Sequence, residues 1–207
     1  MKKYLIILSG VSVKSYGLET LKHNDELWQK LCSIYGEKNI FEPDYNQYLD
    51  SWTIQHNFNL KYLDPLRLKL NPFRRNKILK SIENLIKMKK QQGYEVDAIC
   101  HSQGCWVLAM CKSKLNKVIF TGSPIGFQSV IGRALVRQSI CPFPWSKPNL
   151  SCRKIINLYS DYDFIGKFPS LDDKKWRFGA KEFVEVMTST KHGLDEYADF
   201  ILNAKLI

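Results

Sequence analysis

The sequence lacks several features, and each absence removes a class of protein. No run approaches the roughly 18 apolar residues of a membrane span, so no transmembrane helix is expected. There is no long polar tract and no low-complexity run, which excludes an extended disordered region. No internal similarity recurs at solenoid periods, which excludes a repeat array. The six cysteines, Cys32, Cys100, Cys105, Cys111, Cys141 and Cys152, form no CxxC pair and no Cys/His cluster with zinc-ligand spacing. Neither a metal site nor a redox dithiol is expected. Cys100, Cys105 and Cys111 sit in apolar surroundings and read as small core residues. Nothing in the sequence supports a Cys141–Cys152 disulfide.

Acidic residues are also short: 20 Asp and Glu against 31 Lys and Arg, a formal charge of +11. The cations are densest between Arg74 and Lys90 but follow no strict helical face. No zinc-finger, helix-turn-helix or RNP-like pattern accompanies them, so no nucleic-acid partner is expected. A solvated Lys-rich surface is one reading; peripheral contact with an anionic membrane or an acidic substrate is the other. The opening apolar run, Tyr4 to Leu8, is shorter than the 7–15 residues, roughly, of an export signal. It reads as a first buried strand, and a reducing cytoplasmic location is the expectation.

What is present suits one domain over residues 1–207, with 44% hydrophobic residues to build a core. Short apolar strands alternate with amphipathic segments. Strands are expected at Tyr4–Leu8, Lys38–Phe41, Glu95–Cys100, Lys117–Thr121, Lys154–Tyr159 and Phe183–Met187. Helices are expected at Leu18–Tyr35, Arg75–Gln92 with Gly93 as its C-cap, Gln103–Lys114, Phe127–Gln138 and Leu194–Lys205. This alternation predicts a three-layer α/β/α sandwich around a mostly parallel sheet. Ligands of such sheets bind at the carboxyl ends of the strands.

One segment at such an end carries chemistry: Cys100-His101-Ser102-Gln103-Gly104, between a strand and a helix. A nucleophilic serine there needs a sharp turn that lifts its hydroxyl above the sheet, with small residues two places either side. Cys100 and Gly104 are small, although the usual pattern, G-x-S-x-G, has glycine at the first position. The following helix N-terminus favours a developing negative charge. Ser102 as a plain helix N-cap is the bland alternative.

The stretch from Ile99 to Cys105 resembles the His-Ser-x-Gly elbow of α/β-hydrolase lipases and esterases. Phe120-Thr121-Gly122-Ser123-Pro124 is similar to the Gly-Ser-Pro turn of those lipases, and Asn157 to Gly166 resembles the strand and turn that present their acid. The resemblance spans residues 4 to 204 in order of elements and implies a serine hydrolase without cofactor. It implies Ser102 as nucleophile and a strand-end acid, Asp163 being favoured over Asp161. Family order then requires a late histidine as base, which is His192. His56 is the alternative base; His23 reads as surface and His101 as a structural or oxyanion-side residue. The oxyanion hole is expected from the backbone N–H groups of Gln103 and of Val11 near Gly10. Ester or thioester cleavage is the expected reaction, on a small-molecule or lipid ester. A peptidase or amidase, or a binding protein without turnover, are the alternatives. The aromatic-rich residues 42–74 and the Pro-rich residues 139–151 either cover the substrate or finish the core.

Overall fold

The computed structural model describes residues 2–9, 17–43, 72–123, 150–163, 179–191 and 193–207. The expected Phe127–Gln138 helix and nearly all of residues 42–74 and 139–151 lie outside them. Six parallel strands form one sheet: β1 (Lys2–Leu8), β2 (Ile40–Phe41), β3 (Tyr94–His101), β4 (Lys114–Thr121), β5 (Ser151–Ser160) and β6 (Gly179–Thr188), in the order β2-β1-β3-β4-β5-β6. The helices described are α1 (Gly17–His23), α2 (Asp25–Tyr35), α3 (Pro72–Gln91), α4 (Gln103–Met110) and α5 (Leu194–Asn203).

The central strands are apolar because both of their faces are covered. Tyr4, Ile6 and Leu8 of β1 face α3 and α4, packing with Ile78, Ile82, Ile86, Cys105 and Leu108. Leu5 and Ile7 face α1, α2 and α5, packing with Leu21, Leu27, Leu31, Tyr197 and Ile201. Helices thus sit on both faces, as the three-layer expectation had it. Among the described residues, no helix is long and apolar enough to cross a membrane.

Three expected boundaries are corrected. Leu18–Tyr35 is two helices, because Asn24 leaves helical geometry and its side-chain oxygen accepts from the N–H of Leu27 at 3.0 Å. The helix from Gln103 stops at Met110, and β4 starts at Lys114, which pairs with Ser151. Of Lys38–Phe41, only Ile40 and Phe41 pair with β1, after one turn of 3₁₀ helix. Gly93 does end α3, with φ +81°, a left-handed turn that favours glycine.

A carboxylate is buried in the middle of β3. Asp97 accepts from the Tyr35 hydroxyl at 2.8 Å, from Asn116 Nδ2 at 2.9 Å and from the Lys117 N–H at 2.9 Å. These donors replace its lost hydration and tie α2, β3 and β4 together.

Candidate active site

The strand order reverses between β1 and β3, so the loops after these two strands leave toward opposite faces. Sheets of this kind take their ligands beyond the carboxyl ends at such a switch point. Ser102 sits there, between the last residue of β3 and the first of α4. It holds φ 50° and ψ −123°, in the left-handed half of backbone space that a residue with a side chain rarely enters. Two backbone bonds hold it: its N–H donates to Thr121 O at 3.0 Å, and its carbonyl accepts from the Cys105 N–H at 3.1 Å. Its side chain makes no N-cap bond, so the bland capping role is not the one it takes.

Gly104 shows why the turn can be this tight. A Cβ there would lie 2.0 Å from the Leu8 carbonyl oxygen, so α4 approaches β1 backbone to backbone. Cys100, the departure from the usual glycine, has ordinary strand geometry, paired with Leu8 and Phe120. It is fully buried in the core, and its carbonyl accepts from the Cys105 thiol at 3.3 Å. The position needs a small side chain and no glycine conformation. Gly122, in the turn after β4, does take a left-handed φ of 53°.

His101 turns toward β4: its Nδ1 lies 3.1 Å from Thr121 Oγ1. That hydroxyl donates to Cys100 O at 3.1 Å, so the Nδ1 of His101 carries the proton and donates to it. This bond sets the His101 ring against the end of β4. His23 is exposed, with Nδ1 2.7 Å from Glu19 O.

The acid loop follows β5. Asp161 is exposed and Asp163, two residues on, is fully buried. The Asp163 N–H donates to Ser160 O at 3.1 Å, and its Oδ2 accepts from the Tyr197 hydroxyl at 2.9 Å. Burial, then the Asp163 carboxylate, push the Tyr197 hydroxyl well above its usual range, although Thr190 acts in the opposite direction. The Tyr197 ring centre is 6.1 Å from that of His101, so one helix side chain touches both the elbow and the acid loop. Cys105, in the first turn of α4, also feels the Asp163 charge; burial first of all pushes its thiol up to about 12. Tyr197 was missed as a site residue because on the helical pattern of Leu194, Ala198 and Ile201 it reads as core.

The structure therefore brings the Ser102 turn and Asp163 to one edge, around Tyr197. Gln103 opens α4, where its backbone N–H faces the helix N-terminal end. Val11, His56 and His192 lie outside the described residues; Thr190, Lys191 and Gly193 flank His192 at the end of β6 and the start of α5.

The loop expected to hold the second oxyanion donor is anchored at both ends by Glu42, the residue after β2. Glu42 Oε1 accepts from Ser9 Oγ and from the Gly17 N–H at 3.3 Å, and Oε2 accepts from the Leu18 N–H at 2.8 Å. The negative charge also complements the first turn of α1.

No family model matches the chain, and no curated protein matches its sequence. Solved structures do match its fold. A type II thioesterase, BorB, from the borrelidin biosynthetic cluster aligns with TM-score 0.57 at 14% identity, covering 99% of this chain and 90% of that one. Dienelactone hydrolase from Anabaena variabilis aligns with TM-score 0.52 at 11% identity, covering 98% and 84%. An alpha/beta hydrolase enzyme from a lagoon-sediment metagenome aligns with TM-score 0.52 at 12% identity, covering 100% and 89%. The chain has the α/β-hydrolase fold. At these identities the likeness speaks for the fold alone.

Proposed function

We propose that this chain is a serine hydrolase that cleaves a carboxylic ester or thioester through an acyl-Ser102 intermediate. The observation that carries the reading is the strained backbone of Ser102, held above the sheet at the switch point. His192 takes the hydroxyl proton as Oγ attacks the carbonyl carbon, and the N–H groups of Gln103 and Val11 receive the oxyanion. The proton passes to the departing alcohol or thiol; water then releases the acid by the same route. Asp163, buried and hydrogen-bonded, holds the imidazole. The reaction balances without a cofactor.

The opposite edge bears on how substrate arrives. A groove of about 440 Å³ at the amino ends of β3 to β6 is lined by Lys90, Lys114, Arg153 and Lys181, with Glu95 the one carboxylate. An anionic surface drawn to these cations would meet the edge remote from Ser102. That placement favours a substrate taken from water over one drawn from a bilayer.

A fluorophosphonate probe tests the reading. It should label the wild-type protein and leave Ser102→Ala unlabelled; equal labelling of both would refute it. Initial rates on p-nitrophenyl esters of rising chain length, beside an acyl thioester, then define the acyl pocket and the preferred bond. Hydrolysis of peptides alone would move the protein to the amidase class.

A further inference from the structure

Two buried tyrosines each donate to a buried aspartate, at different places in the sheet. Tyr35 bonds Asp97 at 2.8 Å in the middle of the sheet, and Tyr197 bonds Asp163 at 2.9 Å at the carboxyl edge. The bonds are chemically alike, but only the second lies beside the elbow. A second set of bonds lies beside it at the end of β6. Thr188 Oγ1 donates to Tyr159 O at 3.2 Å and accepts from the Thr190 N–H and, at 2.7 Å, from the Thr190 hydroxyl. These bonds tie the end of β6 to Thr190, two residues before His192.

We infer that Tyr197 is a positioning residue for the acid of the proposed triad, fixing the rotation of the Asp163 carboxyl and stabilising its ionised form. The inference rests on the reading of Asp163 given above. The bond to Oδ2 fixes the rotation of the carboxyl group, and with it the direction in which the carboxylate meets an imidazole N–H. The action of the hydroxyl in this inference runs through the carboxylate. The titratable groups that face Asp163 among the described residues are Tyr197 from α5 and Cys105 from α4, with the His101 ring from β3 behind Tyr197. Burial raises both the Tyr197 hydroxyl and the Cys105 thiol, so both are neutral near pH 7.

The sign of the effect follows. A donor to a carboxylate favours its charged form, so removing the donor makes the carboxylate more basic. A more basic Asp163 holds the imidazolium more tightly and itself protonates at higher pH. Either change moves the acid limb of the rate profile upward.

The test compares Tyr197→Phe with Tyr35→Phe, using kcat and kcat/KM for ester hydrolysis across pH. Both variants should melt at lower temperature. Tyr197→Phe alone should lower kcat about tenfold with KM little changed, and raise the acid limb by about half a pH unit. An acid limb left in place by a folded Tyr197→Phe would overturn the inference, as would an equal shift in Tyr35→Phe. If Tyr197→Phe does not fold, 3-fluorotyrosine at position 197 reads the same limb: a more acidic phenol donates more strongly to the carboxylate, so a downward shift supports the inference and an unmoved limb overturns it. Asp163→Asn separates the two levels. If that variant keeps full activity, the triad reading itself fails; if it is inactive while Tyr197→Phe behaves as wild type, only the role of Tyr197 fails.

Discussion

Gly104→Ala tests how closely the helix after Ser102 lies on the sheet. The added Cβ would stand 2.0 Å from the Leu8 carbonyl oxygen and 2.6 Å from that of Ser9, where ordinary contact begins at 3.4 Å. Both atoms are backbone, so no rotamer change gives relief, and α4 and β1 must part by about 1 Å. Overpacking a core costs about 1–3 kcal/mol, and a backbone clash on a fully buried strand puts this case near 3 kcal/mol. With a urea slope of about 2–3 kcal/mol/M, the unfolding midpoint should fall by about 1–1.5 M. A misplacement of about 1 Å at a reacting centre costs about 100-fold in rate, so fluorophosphonate labelling should slow by that order while the variant is still folded. Gly93→Ala is the control. Its Cβ meets nothing within 4 Å, and only its φ of +81° is strained. It should cost about 1–2 kcal/mol and leave the labelling rate alone. A Gly104→Ala protein with wild-type midpoint and wild-type labelling would refute the close approach and the elbow built on it.

Other consequences can be measured. His192→Ala should abolish ester hydrolysis and leave the circular dichroism spectrum and melting temperature near wild type; retained turnover would move the base to His56. Asp97→Ala strands the buried hydroxyl of Tyr35 and the half-buried donors of Asn116 and Lys117, and should cost about 2–4 kcal/mol in urea unfolding. A loss under about 1 kcal/mol would show that those donors find other partners. Burial pushes the thiol of Cys105 up to about 12 and that of Cys152 up to about 11, from an ordinary 9.0. Their folded values are raised, so their contribution is complete below pH 9.0 and is lost between there and about 11–12, as the unfolded thiols ionise first. Burial lowers Lys117, which adds stability with rising pH and opposes this trend. Urea midpoints should therefore fall less steeply above pH 9.0 in Cys105→Ala and Cys152→Ala than in the wild type; identical slopes would show that these thiols ionise in the native state.

How much of this was legible in the sequence depends on what water leaves visible. Strands buried on both faces are apolar over most of their length, so Tyr4–Leu8 of β1 and the apolar runs of β3 after Asp97, of β4 and of β5 stand out. The start of β4 was hidden because Lys114 and Asn116 are partly or fully exposed and polar, with only Leu115 buried between them. The break at Asn24 had a local signal, an Asn followed by Asp25 and Glu26, but Leu21, Leu27 and Leu31 pack on one face and mimic continuity. The elbow was legible because its demands are local: small residues at fixed offsets around Ser102. Asp163 and Asp161 differ by burial, which depends on where α5 returns. The Tyr197 contact joins residues 34 positions apart, and no local pattern encodes it.

Glu42 carries a consequence for variation. Because one carboxylate holds both Ser9 and the first turn of α1, the chain between those posts is bracketed independently of what it contains. Closing a somewhat longer or shorter span between fixed posts changes the entropy only slightly. The grip on Ser9 and on α1 is thus indifferent to the length and composition of residues 10–16, and a substitution between the posts leaves the strands beneath their pairing.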